Sequence, residues 1–185
     1  MKYGAELHTD RLIIRSWNLS EIDRAAFHIL NSDEQVMQYF PFTRTREVAD
    51  EVLESLITLA KSNGYGWSAI CMKSTGEPIG FAGLSKVNFE AKFTPATEIG
   101  WRIMRPHWRK GYALEAASAL ILHGFNDLDL EEIVAFAAKD NTASISLMQR
   151  LGLQAVPAMD FDMPGIGDEH SHLRKHIFYH LSKPD

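Results

Sequence analysis

The stretch HWRKGYALEAASALILHGF, from His107 to Phe125, decides the fold prediction because it joins a basic turn and a glycine to an amphipathic helix. The helix is predicted over 112–126, and its N-terminus has backbone N–H groups without helical partners at the positive end of the helix dipole. Gly111 lets an anion approach the main chain, while Arg109 and Lys110 add positive charge. This design suits phosphate, although a lone glycine before a helix is usually a turn residue.

Hydrophobic periodicity around this stretch predicts the element order β-α-α-β-β-β-α-β-α-β. Antiparallel hairpins come first, and a β-α-β crossover occupies the second half, which indicates an α/β (α+β) protein. The first helix is capped by Ser20 and interrupted at Asn31, and the second ends at Gly64. The strands are predicted at 12–14, 67–72, 78–84, 97–104, 133–137 and 173–181, and the remaining helices at 46–61 and 142–151.

Composition narrows the class of protein. The length of 185 residues suits one domain, and a net charge of −5 argues against a general nucleic-acid binder. No apolar stretch approaches the roughly 18 residues that span a bilayer, and the start MKYGAELHTDRL does not have the pattern of a secretory signal. The single cysteine, Cys71, excludes an internal disulfide and favours a cytoplasmic location. Cys71 is also predicted to be a buried core residue rather than a nucleophile.

Strand 98–103 and the segment 106–116 together resemble the acetyl-CoA motif of GNAT-family N-acetyltransferases. The family pattern is Gln/Arg-x-x-Gly-x-Gly/Ala, in which the glycine corresponds to Gly111 and the last small residue to Ala113. The match has two departures. Trp108 occupies the Gln/Arg position, and Arg109 stands where many relatives have another glycine.

Three further segments agree with this resemblance in the right order. Residues 76–84 resemble the central hairpin of the family, and 140–153 resemble its later helix motif. Residues 9–15 resemble the opening of the RimJ/RimL-like subgroup, which acetylates the N-termini of ribosomal proteins. The resemblance implies that residues 1–185 form one N-acetyltransferase domain. It also implies a single mixed, mostly antiparallel sheet, flanked by helices and splayed at the fourth predicted strand.

The resemblance implies a set of acetyl-CoA contacts. A bulge in the fourth strand is expected to free backbone groups for the pantetheine and the acetyl carbonyl, and the basic turn is expected to hold the pyrophosphate. Asn141 is expected to bond the pantetheine, although an asparagine there is equally a helix N-cap. The expected cofactor-binding residues are Ile103, Met104, Arg105, Arg109, Lys110, Gly111, Tyr112, Ala113, Asn141 and Ser144.

GNAT enzymes transfer acetyl directly to an amine, which requires a neutral amine and stabilisation of the leaving thiolate. Glu98 is the candidate base, and it acts through water in this interpretation; the alternative is an ion pair with an arginine at the sheet edge. Many relatives protonate the thiolate with a tyrosine, but Met148 occupies that position here. Ser144 is the natural substitute, although its hydroxyl can equally bond a carbonyl of its own helix.

The acceptor is the least determined part of the prediction. Tyr39, Phe40 and Trp67 are expected to contact it, or else to belong to the core. The histidines of the C-terminal region show no convincing ligand spacing, so no metal is expected. The leading hypothesis is acetylation of a peptide or protein α-amine by a monomer or homodimer that binds neither nucleic acid nor membranes. The alternatives are a small-amine acetyltransferase, acting on a polyamine, amino acid or antibiotic, and a non-catalytic CoA-binding sensor, which the missing tyrosine leaves open.

Overall fold

The computed structural model describes residues 5–184, and its four α-helices and nine strands follow the predicted order with short additions. Residues 1–4 and Asp185 lie outside the described residues. The predicted domain, 1–185, includes them, and the segment predicted not to be a secretory signal begins with residues 1–4. The helices are α1 (Glu21–Ser32), α2 (Arg46–Asn63), α3 (Tyr112–Asn126) and α4 (Thr142–Arg150). The strands are β1 (Leu7–His8), β2 (Leu12–Arg15), β3 (Trp67–Met72), β4 (Pro78–Lys86), β5 (Thr97–Ile103), β6 (Glu132–Ala138), β7 (Gln154–Ala155), β8 (Phe161–Asp162) and β9 (Lys175–Ser182).

The strands form one sheet in the order β1-β2-β3-β4-β5-β6-β9-β7, with β8 also paired to β9. Every pair is antiparallel except β5 and β6, which run parallel. The β5–β6 pairing consists of a single residue pair, Glu98 with Val134, and the strands separate beyond it. The predicted mixed, mostly antiparallel sheet is confirmed, and the fourth predicted strand, β5, is where it splays.

Local sequence signals set the helix ends. The Ser20 hydroxyl accepts a hydrogen bond from the Asp23 N–H at 3.3 Å, and Thr45 caps α2 in the same way. Gly64, with φ of 81°, closes α2 in the left-handed conformation. Strand β9 begins two residues later than predicted because residues 168–173 form a 3₁₀ turn.

The sheet separates two apolar cores. One lies under α3 and includes Ile99 and Ile103; the other lies under α1 and α2 and includes Phe81 and Cys71. The predicted burial of Cys71 is confirmed, and burial raises the pKa of its thiol. Since side chains alternate along a strand, β5 directs Glu98, Gly100 and Arg102 toward the α1–α2 face.

None of the helices within residues 5–184 is both long enough and apolar enough to cross a bilayer.

Candidate active site

The gap between β5 and β6 exposes main-chain groups. The Met104 N–H donates to the Ile79 carbonyl of β4 at 2.9 Å, so strand alternation turns the backbone groups of Trp101 and Ile103 toward β6. Because the residue pairing with β6 ends at Glu98, these groups face the widening gap. One of these groups, the Ile103 carbonyl, already has a partner, because the Trp108 indole N–H donates to it at 2.6 Å. The Ile103 N–H and both backbone groups of Trp101 therefore line the gap.

Met104 and Arg105, two of the predicted cofactor contacts, already have partners within the protein. The Met104 N–H donates to β4 and its carbonyl accepts from the His107 N–H at 2.9 Å. The Arg105 guanidinium forms an ion pair with Asp33, which follows α1, at 3.0 Å. Trp101, which the sequence did not single out, presents its backbone groups to the gap.

The basic turn presents a cluster of unbonded N–H groups. Arg109 and Gly111 both adopt positive φ, 58° and 82°, on either side of Lys110. Across residues 5–184, the N–H groups of residues 109–114, which include Tyr112 and Ala113, find no hydrogen-bond acceptor. The Arg109 and Lys110 side chains are exposed, and neither has an ion-pair partner among the described residues 5–184. Such an array at a helix N-terminus is suited to an anion.

Arg11 holds this turn in place. Its guanidinium donates to the Lys110 carbonyl at 3.0 Å and to the Glu115 carboxylate at 2.7 Å, and it lies 4.7 Å from the centre of the Tyr112 ring. Glu115 also accepts the Thr9 hydroxyl at 2.6 Å. Arg11 therefore lies over one face of the Tyr112 ring, and the Tyr112 backbone N–H remains without a partner among the described residues. Sequence reasoning used residues 9–15 only as a family signal and missed this contact.

The start of α4 lies at the open end of the gap, directly after β6. The Asn141 amide oxygen accepts the Ser144 N–H at 3.1 Å, so Asn141 is the N-cap of α4. Its NH₂ group and the Ser144 hydroxyl make no hydrogen bond within residues 5–184, so the alternative bond from Ser144 to its own helix is not observed. Met148 is 1% exposed and belongs to the core under α3.

Glu98 lies at the closed end of the gap, opposite Ser85 of β4 and beside Val134 of β6. Its carboxylate has no hydrogen bond or ion pair among the described residues, so the predicted alternative of an arginine partner is not observed. Burial without a partner raises the pKa of Glu98 to about 7. Both protonation states are therefore populated near neutral pH, which is the property a general base needs.

The aromatic residues predicted at the acceptor lie on the α1–α2 face. The Tyr39 hydroxyl donates to the Asp140 carbonyl at 3.3 Å, so the α1–α2 loop reaches the turn before α4. Phe40 is 41% exposed beside this contact. Trp67 packs edge-on against Phe81, with ring centres 5.8 Å apart, so it is partly a core residue. Its ring also covers Gly100, where an added Cβ would lie 2.8 Å from the Trp67 Cη2.

The C-terminal histidines are dispersed. His176 is buried with its Nδ1 3.1 Å from the Arg174 carbonyl, and His180 lies 3.3 Å from Glu132. His170 and His172 belong to the 3₁₀ turn before β9. In the described residues, no group of three or more histidine, cysteine, aspartate or glutamate side chains is placed to hold a metal ion.

Similar proteins were found both by sequence and by structure. The uncharacterized N-acetyltransferase p20 of Bacillus licheniformis is 33% identical over 153 residues, which cover 80% of this chain and 82% of the relative. The FsC-acetyl coenzyme A-N(2)-transacetylase of Aspergillus fumigatus is 31% identical over 187 residues, covering 96% of this chain and 77% of the relative.

Among solved structures, a GNAT-family acetyltransferase from Bacillus anthracis has a TM-score of 0.77 and 25% identity, and the match covers 100% of both chains. The ribosomal-protein-S5-alanine acetyltransferase from Vibrio fischeri has a TM-score of 0.76 over 98% of each chain, and at 18% identity this likeness concerns the fold alone. The family model described as acetyltransferase (GNAT) domain matches residues 11–154. The chain therefore belongs to the GNAT family of N-acetyltransferases, which use acetyl-CoA as co-substrate.

Proposed function

We propose that this GNAT enzyme transfers acetyl from acetyl-CoA directly to the α-amine of a peptide or protein N-terminus. The observation that carries the proposal is the unpaired Glu98 carboxylate, whose pKa of about 7 lies close to that of an α-amine. An α-amine titrates near 8, whereas a lysine amine titrates near 10.4. A base with the pKa of Glu98 therefore matches an N-terminal amine better than the more basic amine of a lysine or polyamine.

The residues around the gap fit acetyl-CoA, whose thioester supplies the acetyl group. The unbonded N–H groups of residues 109–114, with Arg109 and Lys110, hold the pyrophosphate. The backbone groups of Trp101 and Ile103 bond the pantetheine and polarise the acetyl carbonyl. The free NH₂ of Asn141 donates to the pantetheine from the opposite side.

The same residues account for proton transfer. Glu98 accepts a proton from the α-ammonium group, through water, and leaves a neutral amine that attacks the acetyl carbon. As the carbon–sulfur bond breaks, the Ser144 hydroxyl donates a hydrogen bond to the departing thiolate, which takes up the second proton lost by the attacking nitrogen and leaves as the free thiol of CoA. Tyr39, Phe40 and Trp67 contact the acceptor on the α1–α2 face. In this proposal the enzyme is one domain in the cytoplasm, and its subgroup is the ribosomal-protein type.

The second candidate is a small-amine acetyltransferase. It is supported by the A. fumigatus relative, which is named as an N(2)-transacetylase and matches 96% of this chain. Thiol release measured with matched peptides and free amines separates the two: a higher kcat/KM for peptides supports the proposal, and a higher value for free amines contradicts it. CoA binding without thiol release from any amine would instead indicate a sensor.

Arg11→Ala is expected to weaken acetyl-CoA binding about tenfold. The change removes the hydrogen bond to the Lys110 carbonyl, and it leaves the Glu115 carboxylate without its cation near the expected pyrophosphate position. Loss of one hydrogen bond to a charged group costs about 1.5–3 kcal/mol, which corresponds to about a tenfold change or more. Calorimetric titration with acetyl-CoA measures the effect. Arg24→Ala is the control, since it breaks ion pairs with Asp50 and Glu54 that lie on α2. Equal affinities for the two variants would contradict the role of Arg11.

Gly100→Ala is expected to raise the acceptor KM about tenfold and leave acetyl-CoA affinity unchanged. The new methyl group would stand 2.8 Å from the Trp67 ring, which must then move into the acceptor path. Steady-state kinetics with each substrate varied in turn checks this. The double variant Gly100→Ala/Trp67→Phe shortens the aromatic side chain and should restore much of the KM. An unchanged KM in the single variant would remove Trp67 from the acceptor site.

A further inference from the structure

We infer that the second or third residue of the acceptor, counted from the reactive amine, carries a carboxylate that binds to the paired guanidinium groups of Arg44 and Arg102. These two side chains are called the arginine pair below. The inference rests on the proposed function, because it specifies the acceptor of the same site. It predicts a preference for N-termini with an acidic side chain at the second or third residue.

Both members of the arginine pair donate a hydrogen bond to the same uncharged atom. The Asn31 amide oxygen accepts from the Arg44 Nη1 at 2.7 Å and from the Arg102 Nη1 at 2.9 Å. Asn31 is 1% exposed, and its NH₂ group donates to the Phe27 carbonyl at 2.7 Å, which fixes its orientation. A guanidinium has five N–H donors, so each member of the pair has further donors than the one that Asn31 uses.

The positive charge of the pair is not balanced locally. Neither Arg44 nor Arg102 forms an ion pair with a carboxylate anywhere in residues 5–184, and the nearby Asp33 is paired with Arg105. The C-terminus of α1 offers only about half a negative charge against two positive charges. Burial lowers the pKa of Arg102 to about 9, an effect to which the neighbouring Arg44 charge adds, and burial also lowers the pKa of Arg44. Both side chains stay protonated at neutral pH, so an incoming anion relieves their repulsion.

Aromatic rings shape the approach to the pair. The Arg102 guanidinium lies 4.3 Å from the centre of the Phe40 ring and 5.0 Å from that of Phe81, and Arg44 lies 4.4 Å from Phe42. Phe40 and Phe42 are 41% and 45% exposed. Each guanidinium thus lies over a ring face, and its only hydrogen bond within residues 5–184 goes to Asn31, so further N–H donors remain for a ligand. A carboxylate is the group that a guanidinium binds in a bidentate manner.

The pair lies on the acceptor side of the gap. Arg102 and Glu98 point from the same face of β5, and four residues of strand separate their Cα atoms by about 13 Å. The Trp67 ring, which covers Gly100, lies between them. The basic turn instead leads into α3, which packs on the opposite face of the sheet. We therefore assign an anion bound at the arginine pair to the acceptor and not to acetyl-CoA.

The spacing defines the kind of acceptor. An extended peptide advances about 3.3 Å per residue, and the acceptor's own acidic side chain covers the rest of the distance between Glu98 and Arg102. With its amine at Glu98, the peptide then brings the carboxylate of its second or third residue to the arginine pair. A free α-amino acid carries both groups on one carbon and does not reach from one to the other.

The test compares two tetrapeptide amides, Ser-Ala-Glu-Ala and Ser-Ala-Gln-Ala, as acceptors. The parent enzyme is expected to show a kcat/KM at least about tenfold higher for the glutamate peptide, the factor that a charged hydrogen bond provides. In Arg44→Gln and Arg102→Gln this ratio should fall toward one, with acetyl-CoA affinity unchanged. Asn31→Asp supplies a carboxylate of nearly the same shape between the guanidinium groups, so it should remove the preference even if either arginine variant fails to fold.

The possible outcomes distinguish this inference from the proposed function. Acetylation of both peptides at equal rates by the parent enzyme would overturn the inference and leave α-amine acetylation standing. Loss of acetyl-CoA affinity in the arginine variants, with the peptide ratio kept, would assign the pair to a cofactor phosphate and also overturn it. Acetylation of neither peptide would overturn the proposed function and the inference together.

Discussion

Gly111→Val is expected to weaken acetyl-CoA binding by about a hundredfold or more. Gly111 has φ of 82°, a conformation that costs an L-residue about 1–2 kcal/mol, and an added Cβ would stand 3.3 Å from the Arg11 guanidinium. The branched side chain also covers the N–H array, where each charged hydrogen bond contributes about 1.5–3 kcal/mol. Loss of two such hydrogen bonds costs at least about 3 kcal/mol, and since 1.4 kcal/mol corresponds to a tenfold change, the affinity should fall by more than two orders of magnitude.

Calorimetric titration of acetyl-CoA into both proteins measures this effect, and Gly76→Val is its matched control. Gly76 has a similar φ of 74° in the turn between β3 and β4, and nothing lies within 4 Å of an added Cβ. The two variants therefore share the backbone strain, and only Gly111→Val covers the N–H array. Unchanged affinity in Gly111→Val would show that the pyrophosphate binds elsewhere.

Glu98→Gln is expected to lower kcat/KM at pH 7 by about 10²–10³-fold, the usual contribution of a positioned general base. In the parent enzyme kcat/KM should rise with pH through about 7, because Glu98 accepts a proton only when it is ionised. The variant should lose the rise centred on about 7 and keep only the rise near 8, where the α-amine of the acceptor itself loses its proton. Rates measured from pH 5 to 9 with a peptide acceptor test both statements, and Glu51→Gln on the exposed surface of α2 is the control. A variant that keeps the parent profile would exclude Glu98 as the base.

Glu98→Gln should increase the stability of the protein at high pH, although it lowers the activity. The pKa of Glu98 rises from an ordinary 4.5 to about 7 on folding, so the folded protein binds this proton more tightly than the unfolded chain. The favourable contribution is complete below pH 4.5 and is lost as the pH rises through 7, by up to about 3 kcal/mol. Glu98→Gln should therefore raise the free energy of unfolding at pH 8 and leave it nearly unchanged at pH 4. Denaturant unfolding at the two pH values is the measurement, and equal effects at both would contradict the raised pKa.

Most of the fold follows from local patterns in the sequence. The bounds of α3 agree with the prediction, 112–126, because Gly111 and the apolar spacing mark them directly. Strands β1, β7 and β8 were missed because two residues are too few to show an alternation. The basic turn and the position of Glu98 on β5 were predicted, because both depend only on residues that are close together in the sequence.

The parts of the site that sequence reasoning missed depend on contacts between distant residues. Arg11 and Glu115 are separated by 104 positions, and Asn31 and Arg102 by 71. No periodicity connects such pairs, and only the folded sheet brings them together. The direction of the Met104 backbone, which bonds to β4, has a related cause. Strand alternation indicates which residues share a side, and the pairing partner is needed to tell which side faces the gap.

The splay between β5 and β6 also divides the sheet mechanically. The pairing between β5 and β6 is a single residue pair, so the two halves of the sheet, β1–β5 and β6–β9, are held together largely by side-chain packing. Helix α3 packs against β2, β4, β5 and β6, and Phe93, between β4 and β5, packs against Phe136 of β6 and Phe178 of β9. In the proposed function acetyl-CoA lies in this gap and bonds backbone groups of β5 and the start of α4, so it adds hydrogen bonds between the two halves. A ligand that binds only the folded chain stabilises it by mass action. We therefore expect the free energy of unfolding to rise with the concentration of acetyl-CoA, so that the acetyl donor also acts as a removable part of the sheet.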